Sequence, residues 1–112
     1  MNYKEFDENN ILISEVWRNE EGFLHREDGP SNIIYNEDGS VYFENFSLYG
    51  KTHRIDGAAV IYYCDGKISS EYFCINGNSL GRGQKGFWIL WKNLSEEQRK
   101  NPNLLRTMTR YV

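Results

Sequence analysis

Over most of the chain, apolar residues come in short runs rather than at helical intervals. Ile33 to Tyr35, Val41 to Phe43, Val60 to Tyr63 and Ile68 to Phe73 are rich in β-branched and aromatic residues, and Asp-Gly pairs at 38–39 and 65–66 separate them. Runs of this kind around Asp-Gly predict hairpins, because a tight turn needs the positive φ angles that these residues tolerate. Gly50 and Asn76-Gly77 mark the opposite strand ends, so an antiparallel meander of about four to seven short strands is expected. Alternation through Val41-Tyr42-Phe43-Glu44-Asn45-Phe46 is broken and assigns no faces, although at least one face should be aromatic. The pattern changes towards the C-terminus. Phe87, Leu90, Trp91 and Leu94 sit at i, i+3, i+4, i+7, which predicts an amphipathic helix. Ser95 and Gln98 form a capping box for a helix that should stop near Asn101, before Pro102. Asn101 then caps a last helix, with Pro102 at its first position and Leu104, Leu105 and Met108 on its apolar side, running through about Arg110. The expected fold is α+β and mainly β, an antiparallel hairpin sheet with short C-terminal helices.

The hairpin region repeats itself. Gly22-Phe23-Leu24-His25-Arg26-Glu27-Asp28-Gly29-Pro30 has a counterpart in Gly50-Lys51-Thr52-His53-Arg54-Ile55-Asp56-Gly57-Ala58, and the two histidines are 28 positions apart. The following Asp-Gly pairs are 27 apart, and a third, decayed copy begins at Asn76-Gly77 without the His or the Asp-Gly. Such a period indicates an array of one supersecondary unit. The motif resembles the HREDGPA repeat proteins of bacteriophages and giant viruses, which in turn resemble MORN repeats, over residues 16 to 75 or so. The resemblance implies a MORN-like stack of β-hairpins, a viral origin and a scaffold that binds other molecules. The chain departs from that pattern at Ser31, at Ala58 and through the third copy.

The 112 residues make one domain, 1–112, with 39% hydrophobic and 26% charged residues. Charge divides it. Residues 1–80 hold 14 acids against 6 Lys or Arg, net −8, and the glycine loop and helical tail of 81–112 hold 2 against 7, net +5. No apolar run approaches the 18 or so residues that would span a bilayer, and the first residues lack the apolar core of a signal peptide, so a cytoplasmic protein is expected, in the host cytoplasm if viral. Cys64 and Cys74, with only His25 and His53 as other soft ligands, fall short of a zinc site and read as reduced thiols. Neither metal nor cofactor is expected.

Three kinds of chemistry compete. His25 or His53, each three residues before an acid, could form a general base for a small enzyme. Tandem duplication favours instead a structural role in turns, where Asp bonds local N–H groups. Gly81-Arg82-Gly83-Gln84-Lys85-Gly86 matches G-x-G-x-x-G ahead of a helix, so Gly81, Arg82, Gly83, Lys85 and Gly86 could hold an anion and make the chain a nucleotide sponge. Against this, the loop reads as a flexible joint, since too little chain remains for a dinucleotide fold. Arg99, Lys100, Arg106 and Arg110 near Trp88 and Trp91 raise nucleic-acid binding, but a pI near 5.4 speaks against it, and both tryptophans read as anchors of the helices on the sheet. The leading expectation is a non-enzymatic protein-binding module, phage-encoded, that inhibits a host protein, with defence proteins among the targets. Its contact set would be Tyr42, Tyr49, Tyr62 and Tyr72 with Arg26 and Arg54. An open meander also exposes edge strands through which copies could associate.

Overall fold

A computed structural model describes all residues from Met1 to Val112. Seven strands form one antiparallel sheet in the spatial order β1 (Asn2–Phe6), β2 (Leu12–Trp17), β3 (Asn32–Tyr35), β4 (Val41–Asn45), β7 (Val60–Cys64), β8 (Lys67–Ile75) and β9 (Asn78–Arg82). The short pair β5 (Ser47–Leu48) and β6 (Lys51–Thr52) separates β4 from β7 in sequence. Helix α1 (Gly83–Asn93), a 3₁₀ turn (Gln98–Lys100) and helix α2 (Pro102–Met108) follow. The chain is thus mainly β with C-terminal helices, as the hydrophobic pattern predicts.

The hairpins β1–β2, β3–β4 and β7–β8 share one plan. Each second strand carries an extra residue with no partner opposite: Ile13, Tyr42 and Ser69. Two residues further on stands a glutamate (Glu15, Glu44, Glu71), and two beyond it an aromatic ring (Trp17, Phe46, Phe73), each set spaced 29 and then 27 apart. Bulges of this kind bend the strand and break its alternation, which explains why Val41 to Phe46 reads irregularly. The structural unit therefore starts before its His-Arg motif. The hairpin β1–β2 carries no such motif ahead of it and escapes detection by sequence self-similarity.

Turn chemistry follows the residues. Tyr49-Gly50, Asp65-Gly66 and Asn76-Gly77 all take positive φ at both positions, the two-residue hairpin turn. Asp38-Gly39 does not. Only Gly39 has positive φ, the loop runs from Asn36 to Ser40, and the Asp38 carboxylate accepts from the Ser40 N–H (2.9 Å) and hydroxyl (2.6 Å).

The core lies at the C-terminal end of the sheet. Ala58, Ile61 and Phe73 meet Phe87, Leu90, Leu94 and Leu104, with half-buried Trp88, Trp91, Met108 and Tyr111 against them. The two tryptophans anchor the helix as expected. Three expectations fail here. Gly81 to Gly86 is neither a phosphate-cradling loop nor a flexible joint: Gly81 and Arg82 belong to β9, and α1 begins directly at Gly83. Gly86 packs so closely on Gly81 that a Cβ would overlap its carbonyl, so this glycine serves helix-to-strand packing. The capping box at Ser95 forms, with Ser95 N–H donating to Gln98 (2.8 Å) and Gln98 N–H to the Ser95 hydroxyl (3.1 Å), but only one 3₁₀ turn fits before Pro102. The last helix is capped by Asn101 as predicted and ends at Met108 rather than Arg110.

Candidate functional site

The sheet has two unlike faces. On the first, each repeated aromatic ring is covered. The Arg26 guanidinium lies 3.8 Å from the Trp17 ring centre, and Arg54 lies 3.9 Å from that of Phe46. Each arginine is held in place by its own loop: Arg26 donates to Asp28 (3.0 Å) and the Pro30 carbonyl (3.2 Å), and Arg54 to Asp56 (2.9 Å) and the Ala58 carbonyl (3.0 Å). Gly29 and Gly57 sit beneath these guanidinium groups, where a Cβ would come within 2.9 Å of the central carbon. The invariant spacing of Arg, Asp and Gly is thereby a packing requirement. The expectation that Arg26 and Arg54 are exposed residues on the sheet is therefore corrected, since both are half-buried on loops, with Nε and Nη1 held by their own loop.

The histidines do equivalent work. His25 Nδ1 accepts from the Tyr49 N–H (3.0 Å), and His53 Nδ1 accepts from the Asn76 N–H (2.9 Å). Each ring thus ties its unit to the two-residue turn of the next. Accepting at Nδ1 places the neutral ring's proton on Nε2. In His25, Nε2 faces Glu27 at 3.6 Å. Tyr49 is exposed and its ring centre lies 4.4 Å from that of His25, so it belongs to this edge and not to the other tyrosines of the predicted contact set. A cleft of about 420 Å³ between the two His-Arg loops is lined by Arg26, Asp28, His53, Arg54 and Asp56 among others, whose arginines and aspartates already pair with each other. Burial raises the Asp56 pKa, but hydrogen bonds from Asn103 and Arg54 outweigh it and hold the carboxyl below the ordinary value.

The repeated glutamates complete this face. Glu15 accepts from the Tyr35 hydroxyl (2.5 Å) and Glu44 from that of Tyr63 (2.6 Å), each tyrosine coming from the next hairpin. Glu71 has no next hairpin. Its buried carboxylate is met by the Tyr111 hydroxyl (2.5 Å) and by Arg110 Nε and Nη2 (2.9 and 2.7 Å), from the end of the chain. The tail also covers Phe73, whose ring centre is 6.2 Å from that of Tyr111. Burial, then the glutamate at the hydroxyl, pushes Tyr35 up to about 12 and raises Tyr63 and Tyr111 further.

The second face carries the aromatic surface. Tyr62 makes edge or tilted contacts with Tyr42 (5.9 Å between centres), Phe43 (5.0 Å) and Tyr72 (6.1 Å), and Arg82 stands 5.8 Å from the Tyr72 ring while donating to Ser70 (3.0 Å). Val16, Ile34 and Val60 extend the surface, and every one of these apolar side chains is half-buried or exposed. Helix α1 packs through Phe87 on Phe73, whose side chain points the opposite way from its neighbour Tyr72, so the helices leave the aromatic face open. Tyr42, Tyr62 and Tyr72 of the predicted set are brought together here. Phe43, Ile34 and Val60 are the additions, and alternation about the bulges is the signal that places them.

The fold defines a mainly β, antiparallel hairpin array closed at one end by helices. The chain matches no protein-family model, no curated protein sequence and no solved structure.

Proposed function

We propose that the protein is a non-enzymatic protein-binding module whose contact surface is the open aromatic face. The observation that carries this reading is the connected group Tyr42, Phe43, Tyr62 and Tyr72 on a face that no other element covers. Aromatic residues with few charges form the centre of protein interfaces, where they contribute most of the binding energy. Rings set edge to face, at 76–77° between Tyr62 and its tyrosine neighbours, provide no coplanar platform for bases. The commitment of both histidines' Nδ1 atoms to turn amides supports the non-enzymatic part.

The resemblance of the His-Arg-x-Asp-Gly units to HREDGPA-type, MORN-like repeats supports a phage or giant-virus origin. In that setting the module captures and inhibits a host protein in the host cytoplasm, a defence protein being a natural target. The chain has no helix long and apolar enough to cross a membrane. Affinity capture from bacterial lysate tests the reading. The protein retains a stoichiometric partner that Tyr62→Asp loses and Arg106→Glu, on the exposed side of α2, keeps. Equal recovery by all three proteins, or none with the wild type, contradicts it.

A further inference from the structure

The open face is self-complementary, and we infer that a second copy of the chain occupies it. This inference rests on the reading of that face as a protein contact surface. Cross-strand partners define one row running over six strands: Glu5, Ser14, Ile34, Phe43, Tyr62 and Ser70, on β1, β2, β3, β4, β7 and β8. The Arg82 side chain, from β9, reaches into the far end of this row by donating to Ser70, and Ser14 does the same at the near end by donating to Glu5 (3.3 Å).

The row reads alike from both ends. Turned about a two-fold axis parallel to the strands and passing over β4, the central strand of the seven, it places Glu5 against Arg82 of the second copy and Ser14 against Ser70. Ile34 then meets Tyr62, and Phe43 meets its own counterpart. In the neighbouring row, Tyr3, Val16, Asn32, Asn45, Val60, Tyr72 and Arg82, the same operation sets Tyr3 beside Arg82, Val16 on Tyr72, Asn32 on Val60 and Asn45 on Asn45, and the Arg82 side chain leans out of this row to Ser70 and so towards Glu5. An axis across the strands instead stacks Glu5 on Glu5 and Arg82 on Arg82. Charge therefore selects the first arrangement, an aligned packing of two sheets of the kind found inside β-sandwiches.

The area fits a dimer that exchanges. Six spacings of about 4.8 Å and strands of about 17 Å give a footprint of about 500 Å² per copy, about 1,000 Å² for the pair, below stable interfaces and in the range of weak, transient ones. A dimer with so small a contact is of the transient kind and can give up the face to another protein. Edge-to-edge pairing through β1 is a poorer route, because strands related by a two-fold through Lys4 set like charges opposite each other.

Sedimentation equilibrium over a dilution series tests the inference, with circular dichroism confirming that each variant is folded. The wild type passes from dimer to monomer, Arg82→Glu and Glu5→Lys each raise the dissociation constant at least tenfold, and the double variant returns to within about threefold of wild type. A wild type that stays monomeric to about millimolar concentration overturns the inference, and so does a dimer indifferent to both substitutions or not restored by the pair. A monomeric wild type that still captures a Tyr62-dependent partner sinks the dimer alone; one that captures nothing sinks the binding reading as well.

Discussion

At the scale of single residues, the repeats are held by charged and polar groups serving aromatic ones. Arg54 fixes its loop through Asp56 and the Ala58 carbonyl and at the same time covers Phe46. A planar, five-donor guanidinium can do both, and an ammonium cannot. The recurrence of His-Arg-x-Asp-Gly was visible in the sequence, but its purpose was not, because the ring each arginine covers lies eight or nine residues upstream, at the end of the preceding hairpin. The Glu–Tyr pairs were invisible for the same reason: 20 and 19 residues separate partners in the first two copies, and 40 in the last. These pairs have a consequence at high pH. Tyr35, Tyr63 and Tyr111 are raised above the ordinary tyrosine value, so the unfolded chain releases their protons first. Their contribution to stability is complete below about pH 10 and falls as pH climbs from there through the folded values. Tyrosinate absorbance should show three of the eight tyrosines ionising late, together with loss of the fold, and Tyr35→Phe should leave two late ones. All eight titrating before the circular dichroism changes would contradict these buried pairs.

At the scale of elements, the sequence located hairpins and helices well where local chemistry decides them. Gly50, Asp65-Gly66, Asn76-Gly77, the Asn101 cap and the Phe87 to Leu94 stripe all occupy the places their chemistry indicates. It misread the segment from Gly81 to Gly86 because glycine spacing that suits a phosphate also suits a helix packed tightly on a strand. Tertiary contact, not loop flexibility, explains Gly86. The end of the array illustrates the same point. With no fourth hairpin to supply a tyrosine, Arg110 and Tyr111 satisfy Glu71 and cover Phe73, so the C-terminus acts as the terminal cap that repeat arrays require. Removing Arg110 leaves a buried carboxylate with a single hydroxyl partner. Arg110→Met should cost about 3 kcal/mol in urea unfolding, whereas Lys100→Met, which removes only an exposed ion pair with Glu97, should cost about 1 or less. Equal midpoints for the two variants would remove the cap from the account.

At the scale of the molecule, the charge division found along the chain acquires a spatial meaning. The acidic turns Asp7-Glu8, Glu37-Asp38 and Asp65 lie along one end of the hairpins, the basic residues Lys92, Lys100 and Arg106 lie on the helices, and the aromatic face carries Glu5 and Arg82 at its two edges. Helices and arginine loops cover one side of the sheet, and the other side keeps its tyrosines in water. On the proposed reading, an uncovered surface of this composition is where a protein partner binds, whether a second copy or a host protein. Hydroxyl-radical footprinting, comparing the dilute protein with its associated state, reads that surface directly. Phe43, Tyr62 and Tyr72 become protected on association while Tyr49, on the turn edge beside His25, does not. Protection confined to Tyr49 and the His-Arg loops, with the three face residues unchanged, would contradict the assignment of the aromatic face as the contact surface.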